Sequence, residues 1–275
     1  VPELPEVETI KNELSPDIVG RRFTRVTVYD AKPVRQPDAQ GFCRELVGQK
    51  TSSLERRGKY LVLRLSGGGA LIIHLKMTGV LLLNPERTDR YTRAVFQLDN
   101  GSQLILADRR RLGSLWLVDD EKAIIGKLGP EPLSAEFSAD TLSRRLQKRQ
   151  APIKAVLLDQ GVVAGIGNMY ADEALFAAGI HPQRKANSLS LEETRDLHRA
   201  IHDVLSSAIG SKGASVDTYT RPDGGLGTAH FSFRVAHRGG RPCADCGTPI
   251  QRVTIRNRGS YFCPHCQKSP TNVPM

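Results

Sequence analysis

The chain has no long apolar run. Its longest, such as Leu61-Val62-Leu63 and Ala70-Leu71-Ile72-Ile73, are strand-sized, which excludes a membrane-crossing helix of about 20 apolar residues. No basic stretch followed by an apolar one opens the sequence, so no secretory signal is expected and the expected location is the cytoplasm. Cysteine is scarce: five in 275 residues, with Cys43 alone and the other four at or beyond position 243. In such a chain this pattern favours metal ligation over disulfides. There is no basic amphipathic helix with bulky apolar anchors, which disfavours a membrane surface as partner. No internal repeat is visible.

What is present is a composition of 39% hydrophobic and 25% charged residues, that of a globular protein, at a length that predicts about two domains. Formal net charge is +10. An even surplus would serve solubility. This one is concentrated, at Arg109-Arg110-Arg111, at Lys148-Arg149 and along Arg234, Arg238, Arg241, Arg252, Arg256 and Arg258. Clustered positive charge points to a polyanion, and nucleic acid is the expected partner.

The first residues, Val1-Pro2-Glu3-Leu4-Pro5-Glu6-Val7-Glu8, lead into a helix. Pro5 suits a first turn, and Val7, Ile10 and Leu14 share one face. Ser15-Pro16 and Gly20 mark its expected exit. From Arg21 to about Leu117 the pattern reads as β, with runs at 23–28, 61–65, 70–75, 94–98, 103–106 and 114–118. Asn100-Gly101 between two such runs signals a hairpin. This spacing implies an antiparallel sandwich or barrel. Gly129-Pro130-Glu131-Pro132 breaks the pattern, and helices follow: one capped by Ser138, one from Ile153 to about Gln160, one starting at Asn168, and a long one after Ser190. Residues 210–233 form a glycine-rich stretch with almost no periodicity, the mark of a functional or disordered loop. The expected sections are 1–130, 131–233 and 234–275.

Cys243-Ala-Asp-Cys246 and Cys263-Pro-His-Cys266 are two C-x₂-C pairs. Four soft ligands on two short knuckles suit one structural, tetrahedral zinc, with no open coordination position. Redox dithiols are the lesser alternative, because a module this short lacks a core and metal would supply its folding energy. His265 reads as a bystander. Between the knuckles, Thr254 to Phe262 reads as a β-hairpin whose Arg and Asn side chains suit phosphate contacts.

Several stretches agree with one family. Pro2-Glu3-Leu4-Pro5-Glu6-Val7-Glu8-Thr9, Arg57-Gly58-Lys59-Tyr60-Leu61, His74-Leu75-Lys76-Met77-Thr78-Gly79, Asp108 to Gly113, Gly165 to Glu173 and the zinc knuckles occur in its order. Over essentially its whole length the chain resembles the bacterial formamidopyrimidine-DNA glycosylases. The resemblance implies a multidomain α+β fold: an N-terminal antiparallel β-sandwich flanked by helices, a helix-two-turn-helix domain with a base-capping loop, and a C-terminal zinc-finger β-hairpin. It implies a monomeric, nucleoid-associated repair enzyme that removes 8-oxoguanine and formamidopyrimidines from double-stranded DNA and cuts the strand on both sides of the abasic sugar.

The resemblance also implies site residues. Pro2 matches the nucleophile. A terminal amine titrates at about 7.7–8.0, and a helix starting just beyond it disfavours the ammonium further. Glu3 matches the acid that assists sugar-ring opening; Glu6 supports it or only caps the helix. Lys59 matches the lysine of β-elimination, although sequence alone reads an exposed lysine on a strand edge. Arg258 matches the arginine of δ-elimination, and its high pKa suits phosphate clamping better than proton donation. His74, Tyr91, Arg149 and Asn168 match DNA contacts, Asn168 having a physical basis at a helix N-terminus; sequence alone reads His74 as a satisfied strand histidine. Met77, Arg110 and Leu112 match the residues that fill the gap left by an everted base. Leu112 departs from the family's usual phenylalanine, which keeps an apolar wedge but loses stacking, so damage search or opposite-base preference is expected to differ. Leu4 and the length of the 211–231 loop favour this family over the endonuclease VIII-like enzymes that remove oxidised pyrimidines. A non-catalytic DNA-binding zinc protein is the remaining alternative. One condition attaches to Pro2: while Val1 precedes it, its nitrogen is an amide and cannot attack, so Val1 is expected to be an initiator position removed from the active protein. Cys43 is expected to be a buried core thiol.

Overall fold

A computed structural model describes residues 2–86 and 88–268; Val1, and the expectation of its removal, lie outside the described residues. The chain divides into two compact units, Val1–Lys127 with Ile209–His230, and Leu128–Ala208 with Phe231–Met275. The glycine-rich stretch thus belongs to the same unit as the N-terminus.

The first unit opens with helix α1 (Leu4–Ile18) and carries strands β1 (Phe23–Val28), β2 (Val34–Gln36), β3 (Thr51–Arg57), β4 (Tyr60–Leu65), β5 (Ala70–His74), β6 (Gly79–Leu83), β7 (Thr92–Leu98), β8 (Gln103–Asp108) and β9 (Ser114–Val118). They form a four-stranded sheet, β1-β7-β8-β6, and a five-stranded sheet, β2-β9-β5-β4-β3. Phe23, Leu81, Phe96 and Leu106 of the first sheet share one apolar cluster with Leu61, Leu63, Leu71, Ile73 and Leu115 of the second. This is a sandwich, not a barrel. Val7, Ile10, Leu14 and Ile18 of α1 join the same cluster. The Asn100-Gly101 turn closes β7–β8, with Gly101 at φ +86.

The sandwich is antiparallel as expected, apart from the short edge strand β2, which runs parallel to β9. Three expectations need correction. Gly20, at φ +83, does mark the exit of α1, but Ser15-Pro16 does not: the helix continues through Pro16 to Ile18, which is fully buried, and the apolar face outweighs the amide lost at proline. Residues 39–46, within the stretch read as β, form helix α2 (Ala39–Leu46). Asp38 Oδ1 caps it, accepting from Gln40 and Gly41 N–H, both at 2.9 Å. Its Phe42 lies edge-on to Phe96 in the core. Finally, the helix that opens at Ile153 stops at Leu157, short of Gln160. The Gln160 side chain instead pins the next turn, donating to Ile166 O at 2.9 Å and accepting from Gly165 N–H at 2.9 Å.

A short helix α3 (Lys122–Ile125) ends the sandwich section. The second unit carries α4 (Ala139–Leu146), α5 (Ile153–Leu157) and α6 (Asn168–Ala177), and α7 spans Leu191–Gly210. Ser138 caps α4 through Thr141 N–H at 3.1 Å. Ser190 and Glu193 form a reciprocal capping box on α7. Strands β10 (Gln251–Ile255) and β11 (Arg258–Phe262) make the tail hairpin. Arg256 and Asn257 at its tip have φ of 45° and 60°, the paired left-handed turn that matches strand twist. Cys43 is half-buried and packs against the sandwich core, less enclosed than expected.

Candidate functional site

Pro2 and Glu3 are buried at the N-terminus of α1. Glu3 is the N-cap, and Glu6 completes a capping box with it. Glu6 is itself fully buried. Its Oε2 accepts from Glu3 N–H at 2.7 Å, and its Oε1 accepts from Ala214 N–H at 2.8 Å. One carboxylate therefore ties the start of α1 to the glycine-rich segment. Gly213, at φ +77, passes so close that a Cβ there would stand 2.9 Å from Glu6 Cγ. One turn along α1, Glu8 Oε2 accepts from Arg56 Nε at 2.7 Å. Burial raises the Glu8 pKa, but Lys11 and Arg56 outweigh it and hold the carboxyl below its ordinary value. Arg56 Nη1 also donates to Gly58 O at 3.1 Å, in the tight β3–β4 turn that carries Lys59. Lys59 is half-buried in that turn, not exposed along a strand edge.

Asp108 organises a second group in the same unit. It is fully buried. Its Oδ1 accepts from Thr78 Oγ1 at 2.5 Å and Arg110 N–H at 3.1 Å. Its Oδ2 accepts from the N–H groups of Leu112 and Gly113, each at 2.7 Å. Its own N–H donates to Tyr91 O at 2.9 Å. The carboxylate thus gathers the loop holding Met77 and the loop holding Arg110 and Leu112, and the backbone N–H of the same residue adds Tyr91. Arg110 Nη1 stands 3.5 Å from Met77 Sδ. Met77 is 37% exposed and Arg110 is exposed, so an apolar and a cationic side chain project together. Thr218 Oγ1 donates to Met77 O at 3.0 Å, adding the glycine-rich segment to the group. That segment is further held by Arg221 Nε donating to Glu13 Oε1 at 2.9 Å, and by Tyr219, which is buried in the sandwich core.

His74 ends β5, edge-on to Tyr60 with ring centroids 4.5 Å apart. Burial first, then the charges of Lys76 and Lys59, pushes its pKa down to about 3. Its Nδ1 accepts from Lys76 N–H at 2.9 Å, which leaves Nε2 as the N–H donor of a neutral ring. A neutral donor beside two lysines suits a phosphate oxygen without adding a charge of its own.

In the second unit, Asn168 is the first residue of α6. Its Nδ2 donates to Gly259 O at 3.0 Å, and Lys154 Nζ donates to the same carbonyl at 3.1 Å. Gly259 follows Arg258, which is exposed at the exit of the hairpin turn. Lys154 and Asp172 form a fully buried ion pair at 2.7 Å, and Asp172 Oδ2 accepts from Tyr261 N–H at 3.1 Å. Burial pushes the Asp172 carboxyl up, with the Lys154 charge pulling against it. Glu173 accepts from the N–H groups of Arg234, Val235 and Ala236 at 2.8–2.9 Å. Helix α6 thereby fixes both the hairpin and the chain entering the cysteine module. Arg149 lies elsewhere, after α4, paired with Asp159 at 3.2 Å.

The four sulfurs of Cys243, Cys246, Cys263 and Cys266 lie within 4.8 Å of one another. The distances Cys246–Cys263, Cys246–Cys266 and Cys243–Cys266 are 3.4, 3.6 and 3.9 Å. Ligands at about 2.3 Å around a tetrahedral zinc stand roughly 3.8 Å apart, so the donor set fits one zinc ion. All four are free thiols, and His265 is not among them. Cys243 and Cys263 pack with Phe176, Val235 and Ile250, a core too small to hold the module alone.

Within the first unit, then, Asp108 gathers Met77, Tyr91, Arg110 and Leu112, and Lys59 lies close enough to His74 to depress its titration. Within the second, α6 gathers Asn168 with the hairpin bearing Arg258, and Arg149 stands apart from them. Asp108, Thr218, Lys154, Asp172 and Glu173 have positions that residue-level reading assigned no role. Asp108 and the Asp172-Glu173 pair did fall inside the stretches that carry the resemblance, and Thr218 inside the glycine-rich stretch read as a loop; Lys154 had no sequence signal.

Three family models match the chain: the formamidopyrimidine-DNA glycosylase N-terminal domain over residues 1–115, the formamidopyrimidine-DNA glycosylase H2TH domain over 128–220, and a zinc finger found in FPG and IleRS over 240–268. A formamidopyrimidine-DNA glycosylase of Symbiobacterium thermophilum is 43% identical over 281 residues, spanning 100% of this chain and 92% of that one. One of Chloroflexus aurantiacus is 42% identical, spanning 97% and 98%. Among solved structures, MutM (Fpg) of Thermus thermophilus superposes with a TM-score of 0.89 at 40% identity, over 98% of this chain and 100% of that one. Lactococcus lactis Fpg bound to DNA containing an abasic site superposes with a TM-score of 0.90 at 33% identity, over 97% and 100%.

Proposed function

The chain belongs to the formamidopyrimidine-DNA glycosylase family, and from that membership we propose a bifunctional enzyme of base-excision repair. It excises oxidised purines, 8-oxoguanine and formamidopyrimidines, from duplex DNA and then cleaves the strand as an abasic-site lyase. One structural zinc holds its tail. Among the described residues no helix is long and apolar enough to cross a membrane, and we place the enzyme in the cytoplasm with the DNA.

With Val1 removed, the Pro2 nitrogen is a secondary amine with a lone pair. It attacks C1′ of the damaged nucleotide, and the bond from C1′ to the base breaks, the base leaving with a proton. Glu3 protonates O4′ as the sugar ring opens, and the nitrogen–C1′ bond becomes an iminium. The iminium acidifies C2′–H; loss of that proton expels the 3′ phosphate, and a second elimination expels the 5′ phosphate. Lys59 serves the first elimination as base or phosphate contact, and Arg258 clamps a phosphate to aid its departure. Neutral His74, Tyr91, Arg149 and Asn168 hold the backbone. Met77, Arg110 and Leu112 fill the gap left by the everted base, with Asp108 as their positioning residue.

The observation that carries this reading is the buried Pro2-Glu3 pair at the start of α1, its N-cap amide held by Glu6. The positive end of the α1 dipole disfavours an ammonium beside it, which favours the neutral, nucleophilic amine. Borohydride trapping on an 8-oxoguanine duplex tests it. The expected result is a covalent adduct, absent in Pro2→Ala and Glu3→Gln. An adduct formed only on oxidised pyrimidines assigns an endonuclease VIII-like enzyme instead, and salt-dependent binding with no adduct leaves a DNA-binding protein. Mass spectrometry of the same preparation must show a chain starting at Pro2; full activity with Val1 retained would sink Pro2 as nucleophile.

A further inference from the structure

A cavity of about 330 Å³ opens beside α4, lined by Thr141, Arg144, Arg145, Lys148, Arg149 and Val162. Thr141, Arg144, Arg145 and Lys148 fall at helical spacing on one side of α4 and its exit, while Leu142 and Leu146 are buried on the other. Four cations thus line one concavity. Arg145 Nη1 donates to Gly161 O at 2.9 Å, and Arg149 pairs with Asp159 at 3.2 Å. Among the described residues Arg144 makes only long contacts at 3.4 Å, to Asp140 O and Thr141 Oγ1. Lys148 has no ion-pair or hydrogen-bond partner among the described residues.

Basic residues in a last helical turn complement the exposed carbonyl ends. That accounts for Arg144 and Arg145, but not for Lys148 and Arg149 beyond the helix, nor for the concavity. Arg144 and Lys148, one turn apart, repel each other in the protein alone, and an anion seated between them would remove that repulsion. Guanidinium forks flanking an ammonium match the tetrahedral oxyanion of a phosphodiester. We propose that this cavity is a further phosphate-binding site for duplex DNA, extending the backbone track that Arg149 begins. The inference rests on the DNA-repair reading for its partner. A phosphate oxyanion is the shared chemistry, and a free polyphosphate is the other source of it.

The test is the salt dependence of binding by the full-length, zinc-loaded protein to an undamaged duplex of roughly 30 base pairs. Each phosphate neutralised contributes about 0.9 to the slope of log K against log salt. For Arg144→Ala/Lys148→Ala the slope is expected to be shallower by about 2, so that raising salt fourfold weakens the wild type about twelvefold more than the variant. Arg44→Ala removes an exposed cation from α2, 77% exposed and far from α4 in sequence, and should leave the slope as it is. An unchanged slope in the double variant overturns the proposal. So does an equal fall in Arg44→Ala, which would mark a net-charge effect. Saturable pyrophosphate binding that is lost in the double variant, with its DNA slope unchanged, would assign the cavity to a free polyphosphate and overturn the DNA assignment. Borohydride trapping by the wild type is a separate readout: its failure would remove the glycosylase reading while the slope comparison still stands.

Discussion

Asp108→Asn should loosen the gap-filling surface without unfolding the sandwich. The native carboxylate accepts from one hydroxyl and three backbone N–H groups. Asparagine keeps one oxygen and gains an NH₂. The least costly orientation turns that oxygen to the amides of Leu112 and Gly113 and the NH₂ to Thr78, whose hydroxyl can rotate to accept. Arg110 N–H then keeps only its longer bond to Thr78 Oγ1 at 3.3 Å, a loss of about 0.5–1.5 kcal/mol, and the two surviving bonds lose their charge assistance, for a total of about 2–3 kcal/mol. That is smaller than the usual stability of a domain, about 5–15 kcal/mol. Urea denaturation should report the loss of stability. Single-turnover excision from an 8-oxoguanine duplex should slow by about 30-fold if 2 kcal/mol of it falls on positioning the wedge. Cleavage of a preformed abasic site, which has no base to evert, should slow far less. Equal slowing of both reactions, or no change in stability, would refute the positioning role.

Gly213→Ala places a Cβ 2.9 Å from Glu6 at a positive φ, and should lower stability by about 1–2 kcal/mol and reduce borohydride trapping; an intact yield would show that the Glu6–Ala214 clamp does not matter. His74, with its pKa pushed down to about 3, should show an imidazole NMR shift that stays flat from pH 8 to 5. In the unfolded chain it titrates near 6.5. The folded value being the lower one, its contribution to stability is complete above 6.5 and is lost as pH falls from there toward 3; an NMR midpoint near 6.5 in the folded protein refutes this. Removing one partner of the buried Lys154–Asp172 pair, by Lys154→Ala or Asp172→Ala, should cost about 3–5 kcal/mol, whereas replacing both with apolar residues should cost much less. Thermal unfolding of the singles and the double distinguishes the two, and additive losses would mean that the charges are not coupled.

The sandwich was legible where a single strand declared itself: Ala70 to Leu75 and Gln103 to Leu106 are apolar enough, and Asn100-Gly101 turns tightly enough, that no other part of the chain is needed to read them. Helix α2 was not, because its eight residues hold few apolar positions and its stability comes from Phe42 packing on Phe96, residues 54 positions apart. The cysteine knuckles were legible because ligand spacing is local. Asp108 was not, for the opposite reason: beside three arginines it reads as a charge partner, yet its oxygens serve Thr78 and the backbone of its own loop. The neutrality of His74 is likewise a property of the lysines and burial around it, which a lone histidine in a strand does not announce.

Lys76 and Arg111 have φ of 53° and 57°. Each immediately precedes a proposed gap-filling residue, Met77 and Leu112. Side chains other than glycine occupy that region at a cost of roughly 1–2 kcal/mol, so each wedge is aimed by a backbone angle that its neighbour holds against its own preference. Strands β6 and β9 begin two residues beyond the wedges, at Gly79 and Ser114, so neither angle can relax to negative φ without disturbing the strand start or the Asp108 bonds that hold the loop. The two wedges are therefore held in place by the sheet on one side and the Asp108 carboxylate on the other, with the strain of Lys76 and Arg111 carried between them.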